Sequence, residues 1–410
     1  MAKIKAFKAI RPVRDKVHLV ATRPIYTYKK SILKAKLEEN PYTFLRIINP
    51  EYNEMIKAKV NSKERFLKVK SIFETFVKNG ILMQDTEENL YLYRQSKDGF
   101  QFTGIIAGAS VEEYNQNLIK KHEATLTHRE NMFTEYLDIV GFNAEPVLLS
   151  YPHNPELEKV YAKIMLNRAE YEFSTTDRIK HELWILTKED EKLVTDLFAK
   201  IEKTYIADGH HRSASSAGLA ALYNAQNVKT TNHNYFLAYF MDESNLHILE
   251  YNRLVKSIKH IDTNVFLDEL AESFEIEKLN QAQKPKKEHQ LTMNLKNEWY
   301  LLTCKPKIIN NNHPVACLDP EILTQYILKP LVGIEDLKTN TNIEFISGNL
   351  GLEAISEPIE EGKADLGFVL FPLNMKQVVR VAENNLIMPP KSTWVEPKLR
   401  SGLTIYNIKE

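Results

Sequence analysis

The sequence predicts an α+β protein with a mixed sheet and flanking helices, and three patterns support this class. Apolar residues recur at three-and-four spacing over 61–80, which is typical of an amphipathic helix. Asp98-Gly99 lies between two β-prone runs, which favours a hairpin. A short apolar run at 205–207 stops at an Asp-Gly pair, and a small-residue segment at 213–225 follows, which predicts the order strand, turn, helix.

The first predicted portion, residues 1–110, contains the first helix and the hairpin. Asn61 and Glu64 stand at capping-box spacing, and Gly80 follows the last apolar residue of the pattern, so both ends of the helix carry a recognisable signal. The two hairpin strands are predicted at 90–94 and 99–108. This portion therefore reads as a helix followed by a strand pair.

The second predicted portion, residues 111–277, contains the strand, turn and helix around 208. Helical patterns precede them at 129–141, 155–174 and 187–203. The last of these begins with Thr187 and Asp190 at capping-box spacing. Two further strands are predicted at 234–241 and 247–251, which would complete a mixed sheet.

The third predicted portion, residues 278–410, begins at a soft boundary. Residues 278–290 are polar and lysine-rich, as an exposed linker or loop is. The elements predicted beyond it are a hairpin at 291–304, a helix at 320–331, a strand at 366–371, a helix at 375–383 and a closing strand at 403–408.

Composition excludes several classes of protein. The 54 basic and 54 acidic side chains cancel, which argues against nonspecific binding to nucleic acid. Two cysteines in 410 residues form no disulfide framework, and a reducing, cytoplasmic location fits best. Lysines interrupt the apolar residues at the N-terminus, and no apolar run reaches the roughly 18 to 20 residues of a membrane span. We expect a soluble chain with no membrane partner.

The densest polar cluster lies between the predicted strand at 205–207 and the helix after it. Its members are Asp208, Gly209, His210, His211 and Arg212. A helix N-terminus, a glycine and a guanidinium together favour an anion, while histidines transfer protons near neutral pH and an aspartate binds Mg²⁺ or orients a histidine. The alternative is a helix cap with solvated basic residues.

Two further clusters have structural interpretations of nearly equal weight. His122-Glu123 precedes the helix predicted at 129–141, where Glu123 is a candidate general base or only part of an exposed first turn. His122-Glu123 does not continue as H-E-x-x-H, which disfavours a zinc protease. The irregular segment 388–402 is a candidate binding loop or a proline-stiffened connector, and its basic residues are Lys391, Lys398 and Arg400.

Four segments together resemble a widespread bacterial and archaeal family of unknown function, the DUF ten-fifteen family. They are Phe7-Lys8-Ala9-Ile10-Arg11-Pro12, Tyr205 to Arg212, Tyr251-Asn252-Arg253 and Met388-Pro389-Pro390-Lys391-Ser392-Thr393-Trp394. The resemblance spans nearly the whole chain. One departure is the run Arg23-Pro24-Ile25-Tyr26-Thr27, where members commonly have Pro-Pro-Tyr-Asp.

The Asp-Gly-His-His-Arg motif is also similar to that of the free L-serine kinases of the SerK family, which have a ParB/sulfiredoxin-like fold. This resemblance implies such a core at 111–277, ATP or ADP, Mg²⁺, and phosphoryl exchange between the nucleotide and serine or O-phosphoserine. The implied catalytic residues are Glu123, Asp208 and His210, with Asp208 also at the metal. The implied phosphate-binding residues are Gly209, His211, Arg212, Lys391, Lys398 and Arg400. The implied substrate-binding residues are His122 and Arg253.

Phosphoryl transfer mainly requires that the protein position the reactants and place cations around the transferred group. The residues of these clusters can do both. Two alternatives remain at this point: a phosphoserine phosphatase that uses water as the acceptor, and a regulator that binds a nucleotide or an amino acid without turnover. A homodimer is also expected.

Overall fold

The computed structural model describes residues 2–258 and 262–410, and the chain forms two compact units. Among the described residues, unit 1 comprises 2–121, 125–246 and 397–410. Unit 2 comprises 122–124, 247–258 and 262–396. The domain boundaries predicted after residues 110 and 277 both fall inside these units.

The described strands of unit 1 before residue 246 are β1 (Ile4–Lys5), β2 (Ile10–Pro12), β3 (Leu82–Gln84), β4 (Tyr91–Lys97), β5 (Phe100–Ser110), β6 (Ile119–Lys120), β7 (Phe142–Asn143), β8 (Val147–Tyr151), β9 (Tyr171–Ser174), β10 (Lys180–Ile185), β11 (Thr204–Asp208) and β12 (Tyr235–Asp242). Its helices are α1 (Val17–Val20), α2 (Lys30–Glu39), α3 (Phe44–Ile48), α4 (Lys63–Lys78), α5 (Val111–Asn115), α6 (Thr127–Val140), α7 (Pro155–Ile164), α8 (Lys188–Phe198) and α9 (His210–Ala225).

One large mixed sheet organises unit 1, as the sequence predicts. The path through its described strands is β6-β11-β8-β12-β5-β4-β10-β9, and β1 pairs with β5. The centre of the sheet contains both strand directions, because β12 runs parallel to β8 and antiparallel to β5. The predicted hairpin joins β4 and β5, and its turn residues Asp98 and Gly99 both have positive φ.

Helices cover this sheet with apolar side chains. The main core of unit 1 includes Leu149, Ile206 and Phe236, each at most 1% exposed. A second core packs α3, α4 and α6 together around Phe73 and Phe142, whose ring centroids are 4.1 Å apart. The strand β11 that leads to the candidate site is therefore held against an apolar core through Ile206.

In unit 2, the described strands are β13 (His247–Val255), β14 (Phe274–Leu279), β15 (Gln290–Leu295), β16 (Glu298–Cys304), β17 (Ile343–Ser347), β18 (Leu366–Leu370) and β19 (Thr393–Glu396), and after it unit 1 resumes with β20 (Tyr406–Asn407). The helices of unit 2 are α10 (Thr263–Ser273), α11 (Asp319–Leu323), α12 (Glu353–Glu360) and α13 (Met375–Glu383). Its strands pair antiparallel along the path β14-β16-β15-β18-β13-β17, and β19 pairs with the first half of β13. Both cysteines, Cys304 and Cys317, are buried and free.

One predicted helix, 155–174, is too long. In the structure α7 ends at Ile164, and residues 171–174 form β9 at the edge of the sheet. Tyr171 pairs with Leu183 of β10 and is almost fully buried, so a contact with a strand further along the chain decides the conformation of this segment. The spacing of apolar residues within a segment gives no information about such a partner.

Two other predicted elements differ in their detail. The helix predicted at 320–331 begins as α11 and continues as a π-helix over Thr324–Leu328. The closing strand predicted at 403–408 is reduced to β20, beside an isolated bridge between Ile405 and Ile10. Within the part of the chain that the structure describes, no helix combines the length and apolar character needed to cross a membrane.

Candidate functional site

The turn between β11 and α9 has the order that the sequence predicts. β11 is buried up to Ala207, and Asp208 at its end is partly exposed. Gly209 adopts φ +106°, a left-handed backbone that suits glycine, and α9 begins at the next residue. No side chain caps this helix, and its first turn contains no acidic residue. The helix therefore begins without the usual groups that stabilise an N-terminus.

Asp208 brings two cations to this turn. Its Oδ2 lies 2.5 Å from Nη2 of Arg212, one turn along α9. Its Oδ1 lies 3.2 Å from Nζ of Lys398, which comes from the C-terminal segment 397–410 of unit 1. Asp208 thus joins Arg212 to Lys398, and both of these belong to the predicted phosphate-binding set.

Glu145 holds the other side of the Arg212 guanidinium. Its Oε1 forms an ion pair with Nη1 of Arg212, and its Oε2 accepts a hydrogen bond of 3.2 Å from the hydroxyl of Ser401. Sequence reasoning missed Glu145, because it lies in no motif and its contact partners are far along the chain. The four charges of Asp208, Glu145, Arg212 and Lys398 sum to zero.

Gly209 allows the Arg212 side chain to fold back over the turn. A Cβ added at Gly209 would lie 2.8 Å from Nε and 2.9 Å from Nη2 of Arg212, so the guanidinium would have to shift. The glycine was expected to let a ligand approach the backbone. In the structure the group that approaches it is the guanidinium itself.

The two histidines of the motif both lie in the first turn of α9. His210 is buried and His211 is partly exposed. A guanidinium at the positive end of a helix is unfavourable for the helix itself. This first turn therefore lacks the interactions that usually stabilise the start of a helix. Such a lack is a frequent property of functional segments.

Arg400 belongs to a neighbouring network of unit 1. Its side chain is 2% exposed, and its Nη2 lies 2.9 Å from both carboxylate oxygens of Asp177 and 3.0 Å from the hydroxyl of Thr175. The same hydroxyl lies 3.2 Å from Nε2 of His181, whose Nδ1 lies 2.8 Å from the hydroxyl of Tyr93. Arg400 thus anchors the C-terminal segment, and its role at a phosphate stays a prediction.

The remaining predicted residues lie in unit 2, where three motifs meet. The backbone carbonyl of His122 accepts a hydrogen bond of 3.0 Å from the N–H of Met388, which joins the short segment 122–124 to the loop 388–392. Arg253 is fully buried, and its Nη2 donates to the carbonyl of Pro390 at 3.3 Å. Its Nη1 donates to the carbonyl of Tyr251 at 2.9 Å.

Lys391 lies at the tip of this loop. Its backbone has φ +56°, and its ammonium lies 5.5 Å from the centre of the Tyr251 ring. Burial lowers the pKa of His122 to about 4, so its imidazole is neutral near pH 7. The partly exposed Glu123 follows it directly. The predicted set is therefore divided between the units: Glu123, His122, Arg253 and Lys391 belong to unit 2, and the others belong to unit 1.

Mg²⁺ at Asp208 does not fit this arrangement. Each oxygen of Asp208 already bonds a cation, and those two cations would repel a third. Among residues 2–258 and 262–410, no group of three or more His, Cys, Asp or Glu side chains is arranged to hold a metal ion.

Several solved structures resemble this chain at low sequence identity and low TM-score. A free serine kinase variant in complex with AMP has a TM-score of 0.37 at 14% identity, covering 73% of this chain and 92% of that chain. A conserved hypothetical protein from Pyrococcus furiosus has a TM-score of 0.35 at 15% identity, covering 73% and 95%. SbnI with a C-terminal truncation, from Staphylococcus aureus, has a TM-score of 0.37 at 11% identity, covering 74% and 89%. Similarity at this level assigns no activity.

Comparison by sequence gives a firmer result. No curated protein matches the chain. A family model described as a protein of unknown function, DUF1015, matches residues 4–321, which include the Asp208–Arg212 turn and the Tyr251-Asn252-Arg253 motif. The match covers more than half of the chain, as the sequence motifs predict. The chain belongs to the DUF1015 family.

Proposed function

We propose that this protein is a phosphotransferase that exchanges a phosphoryl group between a nucleotide and free L-serine. The observation that carries the proposal is the start of α9, where two cations converge on Asp208 beside an uncapped helix N-terminus. Backbone N–H groups, a guanidinium and an ammonium at one point are suited to the oxygens of a phosphoryl group.

The ion pairs at this point can open to accept a phosphate. The side chains of Arg212 and Asp208 are 28% and 33% exposed, so solvent reaches part of the pair and weakens it. A phosphate carries more charge than a carboxylate and accepts both prongs of a guanidinium. Asp208 then acts as a holder that keeps Arg212 and Lys398 in place until the phosphate arrives.

In this reaction none of these side chains forms a covalent bond to a substrate. The serine hydroxyl oxygen forms a bond to the terminal phosphorus of ATP or ADP, the bond from that phosphorus to the bridging oxygen breaks, and O-phosphoserine and the shortened nucleotide leave. Arg212 and Lys398 neutralise the charge on the transferred oxygens. The motif resemblance assigns the hydroxyl proton to Glu123 as general base, and His210 is a second group able to carry a proton.

The test is an exchange assay on the full chain with L-serine and ATP or ADP, and with O-phosphoserine and ADP or AMP, in the presence and absence of Mg²⁺. Wild-type protein should convert one amino acid into the other only when a nucleotide is present. Arg212→Lys keeps the charge but loses the planar fork, so we expect at least a roughly tenfold lower rate. Lys398→Gln should lower the rate similarly.

Lys200→Gln is the matched control, because Lys200 forms an exposed ion pair with Glu156 on the same unit. Its rate should equal that of the wild type. Loss of O-phosphoserine without nucleotide would replace the proposal with a phosphatase. Nucleotide binding without any turnover would replace it with a regulator. Glu123→Gln tests the base assignment separately, since full activity in that variant removes Glu123 from the mechanism and leaves the phosphate site in place.

A further inference from the structure

Unit 1 contains a cavity of about 230 Å³ next to the candidate phosphate site. It lies beside Arg212, behind the first two turns of α9. Aromatic side chains make up one part of its lining: Phe44, Phe133, Tyr136 and Phe142. Polar side chains make up another part: Glu145, Arg212, Ser215, Ser216 and Ser401. A cavity lined by aromatic rings and a few polar groups is the usual form of a small-molecule site.

The size and lining of the cavity suit a flat, fused ring system. An engineered apolar cavity of about 150 Å³ in another protein holds benzene, so about 230 Å³ accommodates two fused rings. Aromatic side chains bind such rings by stacked and edge-to-face contacts. One wall ring, Phe133, is 38% exposed and marks a place where the cavity meets solvent.

The electrostatics of the cavity suit a neutral group with polar edges. The guanidinium of Arg212 is paired with both Glu145 and Asp208, so it presents no uncompensated charge to the cavity. The hydroxyls of Ser215 and Ser216 both donate to the carbonyl of Arg212, at 3.1 and 2.9 Å. Their oxygens keep lone pairs that can accept hydrogen bonds from an amino group.

The position of the cavity relates it to the phosphate site. Ser216 lies six residues after His210 along α9, which corresponds to ~9 Å along the helix axis. A sugar can bridge a distance of this order between a base and its phosphate. We infer that this cavity holds the purine base of the nucleotide while the phosphates lie at the 208–212 turn. This inference rests on the proposed function, since it identifies where that function's nucleotide is held.

The experiment compares AMP with ribose 5-phosphate by calorimetry on the full-length chain. Wild-type protein should bind AMP at least tenfold more tightly than ribose 5-phosphate, because only AMP has a base. Ala144 lines the cavity, and Ala144→Leu partly fills it. This variant should bind AMP at least tenfold more weakly than the wild type and ribose 5-phosphate with unchanged affinity. Phe133→Ala removes a wall ring that is 38% exposed and should also weaken AMP binding selectively.

Ala162→Leu is the matched control. Ala162 lines a separate cavity of about 200 Å³ in unit 1, so the same substitution there should leave both affinities unchanged. Equal AMP affinity in the wild type, Ala144→Leu and Phe133→Ala would overturn the inference, as would wild-type protein that does not prefer AMP to ribose 5-phosphate. Selective loss of AMP binding in a chain that shows no phosphoryl exchange would support the cavity assignment and overturn the phosphotransferase.

Discussion

Gly209 is the residue on which the candidate site depends most directly. Its φ of +106° strains any other residue, and an added Cβ would meet the Arg212 guanidinium. We expect Gly209→Ala to lower the free energy of unfolding by about 1–3 kcal/mol and to abolish phosphoryl exchange, because the guanidinium must move. Urea titration and the exchange assay measure the two effects.

Gly80 provides a control for the backbone alone. It also has a positive φ, +67°, but an added Cβ there would meet nothing within 4 Å. Gly80→Ala should therefore cost less stability than Gly209→Ala and should leave exchange intact. Equal stability losses in the two variants, with exchange retained in both, would show that contact with Arg212 does not explain the glycine.

His181 makes stability depend on pH. Burial, together with the charge of Arg400, lowers its pKa to about 3. Between about pH 3 and 6.5 the unfolded chain binds a proton at His181 that the folded chain does not, so stability falls as pH falls through this window. The slope is about 1.4 kcal/mol per pH unit for one proton. His122, whose pKa is about 4, contributes in the same sense.

Replacing His181 by glutamine should remove one of these two contributions. Unfolding free energies measured from pH 4 to 6 should then rise less steeply with pH in His181→Gln than in the wild type. The difference in slope should be about 1.4 kcal/mol per pH unit, the value for one proton. His128→Gln changes an exposed histidine on α6 and should leave the slope unchanged. The account of His181 fails if both variants keep the wild-type slope.

The helices α8 and α9 begin in opposite ways. At α8 the hydroxyl of Thr187 accepts from the N–H of Asp190 at 3.1 Å and donates to its carboxylate at 2.8 Å, and three acidic residues occupy the first turn. At α9 no side chain caps the helix and no acidic residue is present. The sequence indicates this contrast directly, since a structural helix start follows the capping rules and the candidate site breaks them.

Thr187→Ala should therefore cost α8 about 1 kcal/mol of stability through loss of the cap. Thr195 in the same helix is the matched control, because its exposed hydroxyl only donates to the carbonyl of Glu191 at 2.8 Å. Thr195→Ala should change stability by less than about 0.5 kcal/mol. Urea titration of both variants decides the matter: equal losses would mean that the cap does not stabilise α8.

The sequence predicts a helix or strand correctly where residues within that segment determine its conformation. The helix predicted at 61–80 is α4, and its end carries Gly80 with positive φ, although Ser62 rather than Asn61 accepts the capping hydrogen bond. β9 was mistaken for the end of a helix because its conformation depends on pairing with β10. The same holds for the closing strand, whose partners lie more than two hundred residues earlier.

The candidate site shows the same division between local and distant information. The 208–212 turn could be found from its order of residues alone. The ion pair between Glu145 and Arg212 and the contact of Lys398 with Asp208 depend on how distant segments meet, so no pattern in the sequence indicates them. For this reason the segment 388–402, which reads as one loop, divides between unit 2 and unit 1. A ParB/sulfiredoxin-like core and a homodimer stay predictions.

The last fourteen residues complete unit 1, although unit 2 precedes them along the chain. Ser401 exchanges two backbone hydrogen bonds with Thr22, at 2.8 and 3.1 Å, and Ile405 does the same with Ile10, at 2.8 and 2.9 Å. The segment also buries apolar side chains at 0–6% exposure, namely Leu399, Leu403, Ile405, Tyr406 and Ile408. Burial of five such side chains is worth about 10 kcal/mol, which is comparable with the whole stability of a domain.

Deletion of residues 397–410 should therefore prevent unit 1 from folding, and not merely remove Lys398 from the candidate site. In hydrogen exchange, peptides from the central strands β5 and β12 should lose their protection in this variant. Deletion of 409–410 alone removes only exposed residues and should leave that protection unchanged. If β5 and β12 stay protected without 397–410, the segment only contributes Lys398 and Arg400 to a unit that is already stable, and the contacts of Ser401 and Ile405 stabilise it far less than their burial implies.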